Sequence, residues 1–298
     1  MRAAFLLLPC LMLTGAASPA AAPKPLTPSE IVAAAPASAW RAIPADDLLV
    51  MELKDGGRVV IQLAPAFAPV HAANIRALAR AGYWQGAAIY RVQDNYVAQW
   101  GNNESEKPWP AGVVAKPPAE YARSARGLAI QPLGFSDPYA RSVGHAGGWP
   151  VARHADGQVS LTHCYGYVGV GRDLSPDTGT GGELYAVIGH AARHLDRNIA
   201  VIGRVIEGIE RLSSLPRGTE ALGFYKERSQ DVPIVRIAMA DTLPAATRPQ
   251  FEYLDTASRP FRAFVRARAN RQDDFFIRPA GGVDLCNAPV PVRRSPSQ

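Results

Sequence analysis

The sequence predicts a mainly β fold, and three stretches carry that prediction. Leu48–Leu53 and Arg58–Leu63 are alternating apolar runs joined by the polar turn Lys54-Asp55-Gly56-Gly57, a β-hairpin signal. Ile89–Gly101 reads as a strand, a Gln93-Asp94-Asn95 turn and a second strand, and Pro233–Met239 reads as a closing strand. Helical periodicity is confined to short segments between these runs.

Taken in order, residues 1–22 open with one Arg, continue as an apolar run from Ala3 to Leu13 and end in small residues. This is the layout of a cleaved signal peptide, and the run is too short for a bilayer core of about 30 Å. An exported, periplasmic protein with no transmembrane span after cleavage is expected. Residues 23–44, rich in Ala and Pro, read as a linker with a weak helical segment near Ser29–Ala35. In Pro69–Gly82 the period changes, with Val70, Ala73, Asn74, Ala77, Leu78 and Ala81 on one helical face, Pro69 in the first turn and Gly82 at the end. Arg91 lies on the first strand of the central unit. On the second strand Tyr96, Ala98 and Trp100 share one face, with Val97 and Gln99 on the other. Val205, Ile209, Leu212 and Leu215 outline a second amphipathic helix, ended by Pro216-Arg217-Gly218.

The order of short motifs is more specific than any one of them. The chain carries Ala68-Pro69, Asn74, Gly82-Tyr83, Ile89-Tyr90-Arg91 and Tyr96-Val97-Ala98-Gln99-Trp100-Gly101, then Glu183-Leu184-Tyr185-Ala186, His194-Leu195-Asp196 and Ile202-Gly203-Arg204-Val205-Ile206-Glu207-Gly208. In order and spacing this series resembles the cyclophilin family of peptidyl-prolyl cis-trans isomerases. The resemblance covers roughly residues 45–242, and implies a closed eight-stranded antiparallel barrel capped by two helices, with the binding groove on its outside. It implies Arg91 as the catalytic position, and Gln99 as the amide that helps hold it and the substrate. Tyr96 and Tyr185 match the aromatics walling a proline pocket, Val97 stands for a methionine there, and Leu195 matches the pocket's rim. Thr162 and His163 match the stretch whose backbone pairs with the substrate peptide, and Glu183 and His194 fall at further substrate-binding positions. The implied partners are proline-containing polypeptides.

The chain departs from the family pattern at several of these points. Tyr replaces Phe at both rings, adding hydroxyls that need partners if buried. Glu183 stands where an amide is usual and Ile199 where a histidine is usual, and the segment 190–193 carries one extra residue. Because Arg91 and Gln99 remain, weakened or retuned isomerase activity is expected. The alternative is a catalytically weak or inactive module of the same fold, binding Pro-containing segments or an envelope partner.

Isomerisation of this kind requires no cofactor, and none is expected. No carboxylate is spaced to complete a metal site around His145, His154, His163, His190 and His194, so no metal is expected either. Gly179–Gly182 lacks the Lys-Ser/Thr of a phosphate cradle. Cys164 and Cys286 remain after the leader is removed, without metal or redox spacing, and a bridge between them stays open. An insertion at about 102–158, interrupted by prolines, either adds substrate contacts or packs on itself. The last segment, 243–298, holds nine arginines against five acids. It reads as a basic, solvated extension with one docked amphipathic helix around Phe261, Phe264 and Val265. It carries no nucleic-acid motif, and no nucleic-acid partner is expected. The sequence does not fix the oligomeric state.

Overall fold

The computed structural model describes residues 25–102 and 107–296; the expected leader at 1–22 lies outside them. The chain begins with α1 (Pro28–Ala33) and β1 (Trp40–Ala42), followed by the hairpin β2 (Leu48–Leu53) and β3 (Arg58–Leu63). Next come α2 (Pro69–Arg80), β4 (Ala88–Val92) and β5 (Val97–Gly101). The insertion supplies β6 (Arg123–Ser124), β7 (Gln131–Pro132), β8 (Ser142–Ala146) and β9 (Trp149–Arg153), and leads into β10 (Gln158–Leu161). The chain continues through β11 (Tyr167–Val170), β12 (Leu184–Val187), β13 (Val201–Glu207), α3 (Ile209–Ser213) and β14 (Val232–Met239). The extension adds β15 (Phe251–Leu254), α4 (Arg259–Ala269) and β16 (Val292–Arg294).

Eight antiparallel strands close a barrel in the order β11-β12-β5-β4-β14-β2-β3-β13, the last pairing with the first. Closure removes exposed sheet edges, so a ligand has to be met by side chains on the outer faces or by loops. The lumen is filled by large apolar side chains, Trp100, Met51, Ile61 and Ile89 among them, with Leu78 of α2 and Trp84 packed against them. α3 starts after Gly208, whose φ of 87° suits glycine. A Cβ there would also strike the Arg58 carbonyl.

α2 buries His71, Asn74, Ile75 and Leu78. Of the expected face Asn74 and Leu78 are buried, whereas Ala73 and Ala81 are exposed. The face is rotated because polar His71 and Asn74 have buried partners in remote loops, which apolar periodicity cannot register. The helix has no side-chain cap of its own. Glu120 of the insertion reaches across instead, accepting from the Val70 and His71 amides at 2.9 Å each and placing an anion at the helix N-terminus. Asn74 donates to the Val114 and Thr180 carbonyls and accepts from the Val114 amide, tying two loops to one helix.

The insertion folds. Its strands join β10 in a five-stranded sheet, β6-β10-β9-β8-β7, and Leu133, Val143 and Ala152 pack against Leu285 and Ala288 of the extension. Helices stand near residues 29–35 and around Phe261 as expected, but neither segment is a linker or a solvated tail. β1 pairs with β15, which pairs with β16, and Ala35, Ala39, Trp40, Leu254, Phe261 and Phe264 form a core cluster of their own. Thr27 and Glu30 build a capping box at the start of α1. The partner of residues 40–42 lies some two hundred residues away in sequence, so local composition could not reveal a strand there. The extension's arginines are largely engaged within the molecule. Arg293 bonds Glu252 at 2.6 Å and lies over the Trp40 ring at 3.8 Å, while Arg294 is paired with Glu207 of the barrel.

A disulfide joins Cys164 to Cys286, with a Cα–Cα distance of 5.2 Å and a sequence separation of 122. In the chain-entropy account, closing a loop of this length stabilises the fold by about 4–5 kcal/mol. Replacing both cysteines by Ala is therefore expected to lower the urea midpoint by a corresponding amount, measured by fluorescence under non-reducing conditions.

Candidate active site

β4 contains a bulge. Its register on β5 shifts between Ile89 and Arg91, so Tyr90 and Arg91 both leave the core face while Ile89 and Val92 remain in it. Arg91 then stands opposite Gln99, and NH1 of its guanidinium donates to Gln99 Oε1 at 2.9 Å. Nε donates to the Leu222 carbonyl at 2.7 Å and NH2 to Gln93 Oε1 at 2.6 Å. The guanidinium lies between two rings, 5.5 Å from the centroid of Phe224 and 6.0 Å from that of Tyr96. Burial lowers its pKa from the ordinary arginine value, yet a guanidinium stays charged at neutral pH.

Beside Arg91, Val97, Tyr185 and Val187 form an apolar cluster on the outside of the barrel, with Tyr96, Leu195 and Ile199 packed against it. The extra residue at 190–193 therefore leaves Leu195 in contact with this patch. His194 is exposed and stacks on Tyr96, with centroids 6.1 Å apart and planes 11° from parallel. Tyr96 belongs to this outer patch, not to the lumen with Ala98 and Trp100. It precedes β5 and follows Asn95, whose φ of 50° breaks the strand alternation.

The Tyr185 hydroxyl has the partner it needs, His163 Nε2 at 3.0 Å. His163 Nδ1 meets Asp196 at 2.9 Å, and Arg193 joins Asp196 at 2.5 Å to Asp137 of the insertion at 2.9 Å. These side chains are almost wholly buried, so each charge depends on its partner. Burial raises the Tyr185 pKa and keeps the phenol neutral.

Thr162 and His163 do not present backbone to a ligand. Both have no exposed surface, because they follow β10, which is taken up by the five-stranded sheet on both sides. His163 supports the pocket wall from behind, and Thr162 lies against Cys164. His190 and His194 stand four apart, but on a loop entering a short 3-10 turn, not on one helix face.

Glu183 forms a further layer. Its carboxylate bonds the Tyr90 hydroxyl, and Gln99 Nε2 donates to the same hydroxyl at 2.7 Å. The carboxyl fits because residue 101 is glycine; a Cβ there would collide with it. Burial pushes the Glu183 pKa up to about 7 against weaker opposition from Tyr90 and the Asn102 amide, and burial together with Glu183 raises that of Tyr90.

Sequence reasoning missed Tyr90, Gln93, Leu222 and Phe224. Leu222 and Phe224 lie on the segment 218–225, which runs along β4 through Gly218 N–H to Val92 and Tyr225 N–H to Tyr90. No periodicity marks such a loop. Tyr90 was legible only as the neighbour of Arg91, since the bulge that turns it outward has no local signature.

An antiparallel closed barrel with a half-buried arginine beside an outer apolar patch defines the class as a cyclophilin-like fold. The comparisons agree. The family model for cyclophilin-type peptidyl-prolyl cis-trans isomerases matches residues 48–239, and the chain belongs to that family. A "Probable peptidyl-prolyl cis-trans isomerase" of Brucella suis is 25% identical over 180 residues, covering 59% of this chain and 74% of the relative. "Peptidyl-prolyl cis-trans isomerase B" of Bacillus subtilis is 25% identical over 166 residues, covering 56% and 88%. The crystal structure of cyclophilin AquaCyp293 from Hirschia baltica matches with a TM-score of 0.68 at 24% identity, over 87% of this chain and 94% of that one. That coverage extends beyond the segment matched by the family model.

The Glu183 pKa has a consequence for stability. A carboxyl whose folded pKa is raised from 4.5 to about 7 contributes stability that is full below the lower value and lost as pH rises through the higher one. Glu183→Gln, neutral throughout, is expected to gain stability relative to the natural protein between pH 5 and pH 8, read as a widening difference in urea midpoints.

Proposed function

We propose that this protein accelerates cis-trans interconversion of X-Pro bonds in exported proteins as they fold, with Arg91 as a non-covalent catalytic group. Rotation about the bond is slow because amide resonance imposes a barrier of about 18–20 kcal/mol. A donor aimed at the prolyl nitrogen as it pyramidalises weakens that resonance and acts only in the twisted state. Arg91 suits the task because it is a permanent cation that cannot take up the proton it offers.

The observation that carries this reading is the way the guanidinium is held. Among the described residues its bonds to Leu222, Gln93 and Gln99 use three of five N–H groups, leaving two for a bound peptide. Proline would rest on the adjacent patch of Tyr96, Val97, Tyr185 and Leu195. Gln99, fixed between Arg91 and Tyr90, orients the cation.

Export to the periplasm is supported by the layout of residues 1–22 and by the Cys164–Cys286 disulfide, a bond that persists in oxidising compartments. Among the described residues no helix is long and apolar enough to cross a membrane. Sequencing the N-terminus of protein recovered from the periplasmic fraction tests export, and a full-length cytoplasmic product would refute it.

Exchange NMR on an X-Pro peptide, comparing the natural protein with Arg91→Ala, tests the catalytic reading. The variant is expected to lose about 10²–10³-fold in kcat/KM, the scale for removing one preorganised donor. Equal accelerated rates would remove Arg91 from the catalysis, and rates equal to that of the peptide alone would leave the alternative, a module that binds Pro-containing segments without catalysing their rotation.

A further inference from the structure

Arg91 can only donate hydrogen bonds. Its contact with Gln99 therefore requires the amide oxygen to face the guanidinium and the NH2 to face Tyr90, the orientation observed. With the phenolic oxygen accepting from Gln99, its proton is directed at the remaining neighbour, the Glu183 carboxylate. An ionised carboxyl accepts only, so every bond in the series Glu183, Tyr90, Gln99, Arg91 points one way. A proton on Glu183 offers Tyr90 a donor instead. The phenol can then turn its hydrogen to Gln99, and an amide reversed to accept it presents NH2 to Arg91, donor against donor.

We propose that Glu183 is a positioning residue for Arg91, acting through Tyr90 and Gln99, and that protonation of its carboxyl loosens the grip on the guanidinium and slows catalysis. The proposal rests on the reading of Arg91 as the catalytic group, and it gives Glu183 a task other than contact with substrate. The geometry is built for it. Glycine at 101 makes the space for the carboxyl, which is half-buried and bonded to the Tyr90 hydroxyl. Among the described residues, few charged and titratable groups surround it. Tyr90 comes from β4 and Tyr83 from the turn after α2, while Lys107 bonds Asn102 at 3.2 Å just beyond the end of β5. Arg91 stands on the far side of Gln99. Burial places the titration of Glu183 near neutrality, at about 7.

The test uses the full chain and an X-Pro peptide with no group titrating between pH 5.5 and 8.5. Exchange NMR gives kcat and KM separately across that range for the natural protein, Glu183→Gln, Tyr90→Phe and Arg91→Ala. A single controlling proton predicts a fall of about tenfold in kcat of the natural protein between pH 8 and pH 6, with KM nearly constant. Glu183→Gln, whose carbonyl can still accept from Tyr90, is expected to have a flat profile. Tyr90→Phe, which removes the hydroxyl while keeping the ring, is expected to be flat and slow. A flat profile for the natural protein, a pH step retained in Glu183→Gln, or a change confined to KM would overturn the proposal. Nitrogen-15 NMR of the Gln99 side-chain amide in the absence of peptide separates this result from the parent reading. A Gln99 shift that titrates in the natural protein and not in Glu183→Gln supports the relay even if Arg91→Ala proves as active as the natural protein; no titration of Gln99 overturns it.

Discussion

The site depends on a cation held in a half-dry position by neutral oxygens. Among the described residues no carboxylate pairs with Arg91; its bonds go to two side-chain amides and one backbone carbonyl. This distinguishes it from arginines such as Arg76, Arg193, Arg293 and Arg294, which are paired with acids. An acid partner would hold the guanidinium more firmly, but would also cancel the field it projects toward a ligand. Neutral acceptors and ring faces satisfy the geometry and leave the charge for use. The desolvation this entails explains why so much structure converges on one side chain, including a bulge in β4, a loop carrying Leu222 and Phe224, and the turn that supplies Gln93. Leu222 has a φ of 59°, unfavourable for a leucine by about 1–2 kcal/mol, and it is the carbonyl of this residue that meets Nε.

The additions to the barrel act on the same face. Asp137 of the insertion anchors Arg193, which with Asp196 and His163 backs the Tyr185 ring. The residue after His163 is Cys164, bridged to the extension. The wall of the apolar patch is thus connected by direct bonds to the insertion and to the C-terminal module, and its position is over-determined. Asp137 and Arg193 lie 56 residues apart, and without the pair each would be a buried, uncompensated charge. Folding of the insertion and completion of the patch are therefore energetically linked.

The barrel and the principal site residues were legible because they rest on local periodicity and on motif order. The hairpin from Leu48 to Leu63, the strand-turn-strand unit around Arg91 and the helix after Pro69 each announce themselves within a dozen residues. What escaped the sequence depends on distant partners. Residues 40–42 form a strand only because β15 is available, and the face of α2 turns because Glu120 and the loops at Val114 and Thr180 receive His71 and Asn74. Thr162 and His163 were misplaced for the same reason. Both are fully buried, His163 between Asp196 and Tyr185 and Thr162 against Cys164, and these partners are remote in sequence or come from a loop. Tyr90 showed only as the neighbour of Arg91 and Phe224 not at all, since a bulge and a loop contact are invisible to a period of two.

Glu183 shows why an acid can serve where an amide would be cheaper to bury. An amide next to Tyr90 can either donate or accept, so it leaves the direction of the Gln99 amide undetermined. A carboxylate removes that ambiguity, because it can only accept, and the constraint passes along the bonds to the guanidinium. The cost is desolvation of a second charge within a few side chains of the first, visible in the raised pKa of Glu183 and the space cleared by Gly101. The ionised form that orders the site is thus also the form that burial disfavours. A site of this kind is most ordered where its fold is least stabilised, which is the relation expected when strain or desolvation is retained at a functional position.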